Sequence, residues 1–477
     1  MFRAFVLAIT AVVLSFPAVA QEAKPALEAA LKAMRAERLG TIRYVGTGTV
    51  FAFGQAHNPA SPWPKFNLKS YDRIIDFDAQ VSSQKVVRTQ GEDPPRGGGQ
   101  QPIVGERTES TTVGIHQPWT QQFEIWVTPL GFLKGALANK ATLSAKTVGG
   151  KQYKVISFST DEKHTLSGYI NQENQLEKVE TSVENPVLGD MPVEASFSDY
   201  KDFNGITFPA KIVEKQGGFP VYDLIIASVT RNVIAGIVPP ALPPSDVGVI
   251  VDEQLIAPDV YYFTGGSHHS VIVGFNDYTV VIEAPLDEQR SEAVISEAKK
   301  LFFNKPIRYV INTHAHFDHA GGLRAYVAEG ATIVTHQENK AYYEKVLALP
   351  RTLAPDKLAH SQNKLVLEGV TDKRVLTDGT HEIDLYHVEK SGHSGSMLIA
   401  YLPKDKVLVE ADLYTTPDAP SGGAEAPINP YTVSLVENLE RLKLDPERII
   451  GLHGREATRD ELFRAAGRAV ESEKSSK

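Results

Sequence analysis

Hydrophobic positions recur at helical spacing over residues 25–39, and beyond Gly40 they alternate with polar ones, which is the period of a strand. Alternating segments rich in β-branched and aromatic residues occupy 41–53, 73–87, 122–127, 153–160, 165–170, 176–183, 193–200, 207–214 and 222–229. Short polar or Gly-containing turns separate them, so an antiparallel meander is predicted with no helix inside it. Residues 92–105, with Pro94-Pro95 and Gly97-Gly98-Gly99, have the composition of a loop and are expected to be mobile.

The run Pro239-Pro240-Ala241-Leu242-Pro243-Pro244 can continue neither sheet nor helix, because proline lacks the backbone donor and fixes φ. Residues 237–246 therefore read as a linker. After it, strands alternate with helical patterns. Strands are predicted at 270–275, 279–283, 307–311, 331–335, 382–387, 397–401, 407–409 and 448–451, and helices at 287–302, 322–329, 337–347 and 432–444. Two sheets covered by helices on their outer faces accommodate this order. The expected organisation is a leader at 1–20, a β-rich antiparallel N-terminal domain at 21–236, the linker, and an α/β domain at 247–477.

The leader rests on Arg3, an apolar run at 6–16 and the small-x-small site Ala18-Val19-Ala20. That run is shorter than the roughly 20 residues a membrane span needs, so a cleaved signal peptide and a periplasmic or secreted protein are expected. The chain contains no cysteine, which confines any metal site to His and carboxylate ligands. A net charge of -9 gives no attraction for phosphate backbones, and a small-molecule substrate is expected rather than nucleic acid.

The chemistry concentrates in Thr313-His314-Ala315-His316-Phe317-Asp318-His319, directly after the apolar strand 307–311, where α/β folds place their ligands. Imidazole nitrogens and carboxylate oxygens suit a borderline-soft divalent ion. One short loop cannot enclose two ions, so other ligands must arrive at other strand ends. His393 in Gly392-His393-Ser394-Gly395-Ser396, His453 after 449–452, and Asp412, a terminal carboxylate able to bridge two ions, all fit.

The H-x-H-x-D-H motif, the later G-H-S-G-S, the apolar strand ending in Asp and the final strand ending in His, in this order, resemble the metallo-β-lactamase superfamily. The resemblance covers about 247–473 and implies its αββα sandwich. It implies that His314, His316 and His393 hold one zinc ion, that Asp318, His319 and His453 hold a second, and that Asp412 bridges them. Ala411 stands where the family usually has Gly, and Glu283 where it usually has Asp.

Two such ions would ionise a shared water at neutral pH and stabilise the leaving atom. The expectation is a dinuclear zinc hydrolase acting on an amide, lactam, lactone or thioester, with Asp318 as the catalytic residue that, by the resemblance, orients the hydroxide and carries its proton. Alternatives are a single-iron member acting on sulfur compounds, and an envelope binding protein with a structural metal site. Among the remaining histidines, His268 and His269 either line the pocket or lie in an exposed turn, His336 and His387 read as structural, and His57, His116 and His164 receive no role. Tyr414 and residues 417–429 are either a loop over the groove or a plain surface connection. The stretch 203–209, FNGITFP, is similar to the curved sheets of bacterial envelope lipoprotein carriers. Such a sheet could bind an apolar ligand or dock on the metal domain, and docking is preferred.

Overall fold

The computed structural model describes residues 21–59, 61–241, 248–417 and 427–469. The leader 1–20 lies outside them, as do the linker positions 242–246 and most of the 417–429 connection.

Twelve antiparallel strands form one sheet that takes in the chain from Gln21 to Arg231. Its strands bury alternate residues, as in Lys65–Asp76, where Phe66, Leu68 and Tyr71 turn inward. Three helices, Lys24–Ala33, Trp119–Trp126 and Pro129–Ala138, pack their apolar residues into the same core.

Two of the predicted elements differ. The run 73–87 is two strands, Lys65–Asp76 and Val81–Gln90, because Asp76 accepts the N–H groups of Asp78 and Ala79 at 3.0 and 2.9 Å and Gln80 takes a left-handed φ of 53°. The segment 122–127 is helical. Trp119, Phe123 and Trp126 share one buried helix face there, and Pro129–Ala138 follows, so helices do interrupt the meander. Strands Arg107–Gly114 and Thr142–Val148, mostly solvent-facing, complete the sheet.

From Asp252 onward the chain forms an αββα sandwich. One sheet has seven strands and the other six. Val271, Val280, Ile282 and Ile311 of the first pack against Ile383, Leu398, Val409 and Ile450 of the second. The opposite residues of each strand face helices: Ile272, Val281 and Val310 meet Val294 and Leu323, whereas Ile399, Leu408 and Ile449 meet Leu435 and Leu462. Both faces of each central strand are buried, which explains their unbroken apolar sequences. Among the described residues no helix is long and apolar enough to cross a membrane.

Within the seven-stranded sheet Thr279–Ile282, Ile307–Ile311 and Thr332–His336 run parallel, as do Val407–Glu410 and Arg448–Gly451 within the other. Parallel strands end at one edge, so residues following them are gathered there. The amide of Leu398 donates to the carbonyl of Thr313 at 2.8 Å and ties the two sheets together at that edge.

Candidate metal centre

The strand ends deliver Glu283, His314, Asp412 and His453 to that common edge, and the 392–396 turn adds His393. His316 precedes the short helix Phe317–Ala320, which carries Asp318 and His319. Glu283 and Asp412 both leave their strands in left-handed backbone, at φ 79° and 60°. Such a conformation costs a non-glycine residue about 1–3 kcal/mol and is concentrated at functional sites. Here it swings two carboxylates inward from the strand ends.

All seven residues singled out in the sequence meet. His314, His316, His393 and Asp412 form one fully buried group, and His268, Asp318, His319 and His453 a second, with ligand atoms inside each group within 4.8 Å of one another. Asp412 lies between them. Its Oδ2 is 3.2 Å from His314 Nε2, 3.1 Å from His393 Nε2 and 2.9 Å from His319 Nε2, and its Oδ1 is 2.9 Å from His453 Nε2. His314 Nε2 and His393 Nε2 are 3.2 Å apart, as are His319 Nε2 and His453 Nε2. Ligand atoms at the corners of a zinc tetrahedron with bonds near 2.0 Å are separated by about 3.3 Å.

The outward ring nitrogens determine what the inward ones present. His319 Nδ1 donates to Glu283 Oε2 at 3.1 Å, His453 Nδ1 to the Ser267 carbonyl at 2.9 Å and His393 Nδ1 to the Gly99 carbonyl at 2.9 Å. The Thr313 hydroxyl donates to Glu283 Oε2 at 2.5 Å, so it accepts from His314 Nδ1 at 3.0 Å. His316 donates Nε2–H to the Ala56 carbonyl at 3.0 Å, and its buried Nδ1 has no hydrogen-bond partner among the described residues. Carboxylates and carbonyls only accept, so each neutral imidazole carries its proton outside and a lone pair inside. With all five rings neutral, five lone pairs and a carboxylate converge, the arrangement of a cation site.

Electrostatics agree. Burial, then the neighbouring His319, pushes His314 down to about 4, and burial holds His316 well below the usual histidine range, so both stay neutral. At His319 burial is outweighed by Asp412 and Asp318, which raise it well above that range. The two carboxylates thus draw positive charge to this point, and a divalent cation answers the same field. For Asp412 burial opposes ionisation, but the neighbouring His319 and His393 rings, 2.9 and 3.1 Å from its Oδ2, hold its carboxyl far below the ordinary value.

Residues 263–454 match the family model of the metallo-beta-lactamase superfamily. This part of the chain belongs to that superfamily. A curated relative, the type 2 metallo-beta-lactamase of Elizabethkingia meningoseptica, is 28% identical over 177 residues, which are 36% of this chain and 64% of that protein. The chain thus spans under two thirds of that relative's length. Similar solved structures include a metallo-beta-lactamase from Pontibacter korlensis, with 17% identity, a TM-score of 0.36, and coverage of 46% of this chain and 98% of that one. Another, from Pseudomonas aeruginosa in its mono-zinc form, has 19% identity, a TM-score of 0.35 and coverage of 47% and 96%.

Beyond the superfamily motif, the structure brings further residues to the site. His268, weighed from the sequence as pocket lining or an exposed turn, lines it: its Nε2 lies 3.3 Å from Asp318 Oδ2, and the Ser267 hydroxyl beside its Nδ1, at 2.9 Å, serves either tautomer. His268 can therefore donate to Asp318 or offer a lone pair. Gln55, from the twelve-stranded sheet, donates to Asp318 Oδ1 at 2.7 Å. His57, given no role from the sequence, bonds the Ser391 carbonyl through Nε2 at 3.0 Å, and its own carbonyl accepts the Gly395 amide at 2.8 Å. The 92–105 loop, expected to be mobile, is bonded to the metal-centre turn, with the Gly97 amide donating to the Gly392 carbonyl at 2.8 Å. His336 and His387 stay apart from both groups, their rings 4.3 Å from each other, and His387 Nε2 donates to the Gly395 carbonyl at 3.0 Å. His269 bonds the Gly266 carbonyl at 3.0 Å and touches Tyr262.

Proposed function

We propose that the chain is a dinuclear zinc hydrolase that cleaves an amide, lactam, lactone or thioester bond in a small molecule. The observation that supports this most is the set of five imidazoles, each with its outward N–H taken by an acceptor, whose remaining nitrogens surround Asp412. In this reading His314, His316 and His393 hold one ion, Asp318, His319 and His453 the other, and Asp412 both. A donor set of His and carboxylate without thiolate suits zinc. Bound there, the ions supply Lewis acidity that ionises water near neutral pH and stabilises the departing atom.

The chain's own groups do the rest. Asp318 is the most accessible of the predicted ligands, its side chain 34% exposed, so it stands where substrate and water enter. Gln55 and His268 fix one oxygen each, which orients the carboxylate. Asp318 thereby positions the attacking water, takes its proton and passes it to the leaving atom.

The test is zinc-loaded protein against a panel of lactams, lactones, thioesters and amides. Turnover of one class, with kcat falling at least about 100-fold in Asp318→Asn while folding is retained, is the expected result. Absence of turnover across the panel, or one iron per chain on metal analysis, defeats the proposal.

A further inference from the structure

Three of the five inward-facing imidazoles take their outer acceptor from the sandwich itself: His314 from Thr313, His319 from Glu283 and His453 from Ser267. The other two, His316 and His393, take theirs from the twelve-stranded sheet. Two of its loops reach across, one that leaves Thr41–Phe51 through residues 52–59, and 91–106 between Val81–Gln90 and Arg107–Gly114. The first presents the Ala56 carbonyl to His316 Nε2 at 3.0 Å, and the second presents the Gly99 carbonyl to His393 Nδ1 at 2.9 Å. Both belong to the group that is wholly buried, whereas His268 and Asp318 of the other group are partly exposed.

The loops are anchored for this task. Gly54 accepts from the Phe317 amide at 3.2 Å, and the Phe317 ring meets Phe53 and Trp63 edge-on at 5.3 and 6.1 Å between centroids. The Tyr431 hydroxyl donates to the Gly97 carbonyl at 3.1 Å and that of Thr415 to Gln100 Oε1 at 2.9 Å. Glycine is required at two of these points. Gly97, at φ 69°, would place a Cβ 2.4 Å from the Gln55 carbonyl oxygen, and Gly54, at φ 73°, would place one 2.5 Å from the Phe317 ring.

We infer that the N-terminal sheet is a working part of the metal centre: the Ala56 and Gly99 carbonyls fix the tautomer and aim of His316 and His393, and so set the affinity of the buried cation position. This rests on the proposed two-metal reading. Partners of ligand imidazoles matter in proportion to what they orient, and losing one weakens metal binding by about 10- to 100-fold.

The experiment measures zinc affinity of the full chain by competition with a chromophoric chelator. Gly97→Ala and Gly54→Ala are compared with Gly149→Ala, a control with the same kind of positive φ, 56°, and open space around it. One of the two ions is expected to bind about 10- to 100-fold more weakly in the loop variants, with the other ion and the control unchanged. Should either glycine variant fail to fold, the triple variant Tyr431→Phe with Gln100→Ala and Asn429→Ala removes the side-chain anchors of the 97–100 segment without backbone strain, and the same selective loss is expected. Folded loop variants that hold both ions as tightly as the wild type overturn the inference alone. A wild-type chain that binds no zinc overturns the two-metal reading beneath it.

Discussion

Glu283→Gln changes one atom at the point where the site is most tightly determined. The carboxylate of Glu283 is fully buried; Oε1 accepts from Asn312 Nδ2 at 3.1 Å, and Oε2 accepts from Thr313 Oγ1 and His319 Nδ1 at 2.5 and 3.1 Å. An amide must put its NH2 against one of these donor sets. Asn312 cannot flip to receive it, because its Oδ1 already accepts the Tyr343 and Thr335 hydroxyls at 2.7 and 3.1 Å. If the NH2 replaces Oε2, His319 is driven to the opposite tautomer and points N–H, not a lone pair, at Asp412. Either way one buried donor is left unsatisfied, costing about 1–3 kcal/mol of folding stability. With the NH2 in place of Oε2, zinc binding is expected to weaken by about 10- to 100-fold, or about 1.4–2.7 kcal/mol. Urea unfolding of metal-free protein and chelator competition measure the two effects. Wild-type stability together with wild-type affinity for both ions in Glu283→Gln would refute the reasoning, because in either orientation of the amide one of the two donor sets must lose its acceptor.

Two further outcomes are expected. His268→Ala leaves the fold intact but weakens one zinc ion by about tenfold or more, read by the same competition assay; unchanged affinity removes His268 from the cation's surroundings. Glu214, buried in the twelve-stranded sheet, is pushed up to about 8 by burial and then by Glu124, from an ordinary value of 4.5. It is neutral when folded and ionised when unfolded at neutral pH, so its contribution to stability is greatest below pH 4.5 and declines as pH rises towards 8. Glu214→Gln should therefore gain Tm over the wild type between pH 5 and pH 8, and parallel Tm profiles would refute this.

Much of the site was legible because its candidate ligands lie at the ends of apolar strands or in the turns beside them, and a strand's end is marked where an unbroken hydrophobic run stops. His314, His393, Asp412 and His453 each sit at or beside such a boundary. Glu283 could be read only as a departure from the family's aspartate, since its role depends on four donors brought together by folding. The sheet loops were illegible for a different reason. Their contribution at His316 and His393 is made by backbone carbonyls, which leave no residue signature beyond the glycines that allow close approach. The helix Trp119–Trp126 was hidden because Phe123, Ile125 and Val127 alternate as in a strand, while the decisive spacing, Trp119 to Phe123 to Trp126, appears only once the core selects one face.

The most direct measurement is diffraction from zinc-loaded crystals at the zinc absorption edge. Two anomalous peaks per chain are expected, one among His314, His316 and His393, the other among Asp318, His319 and His453, with Asp412 touching both. A single peak, or none at these residues, would contradict the two-metal centre.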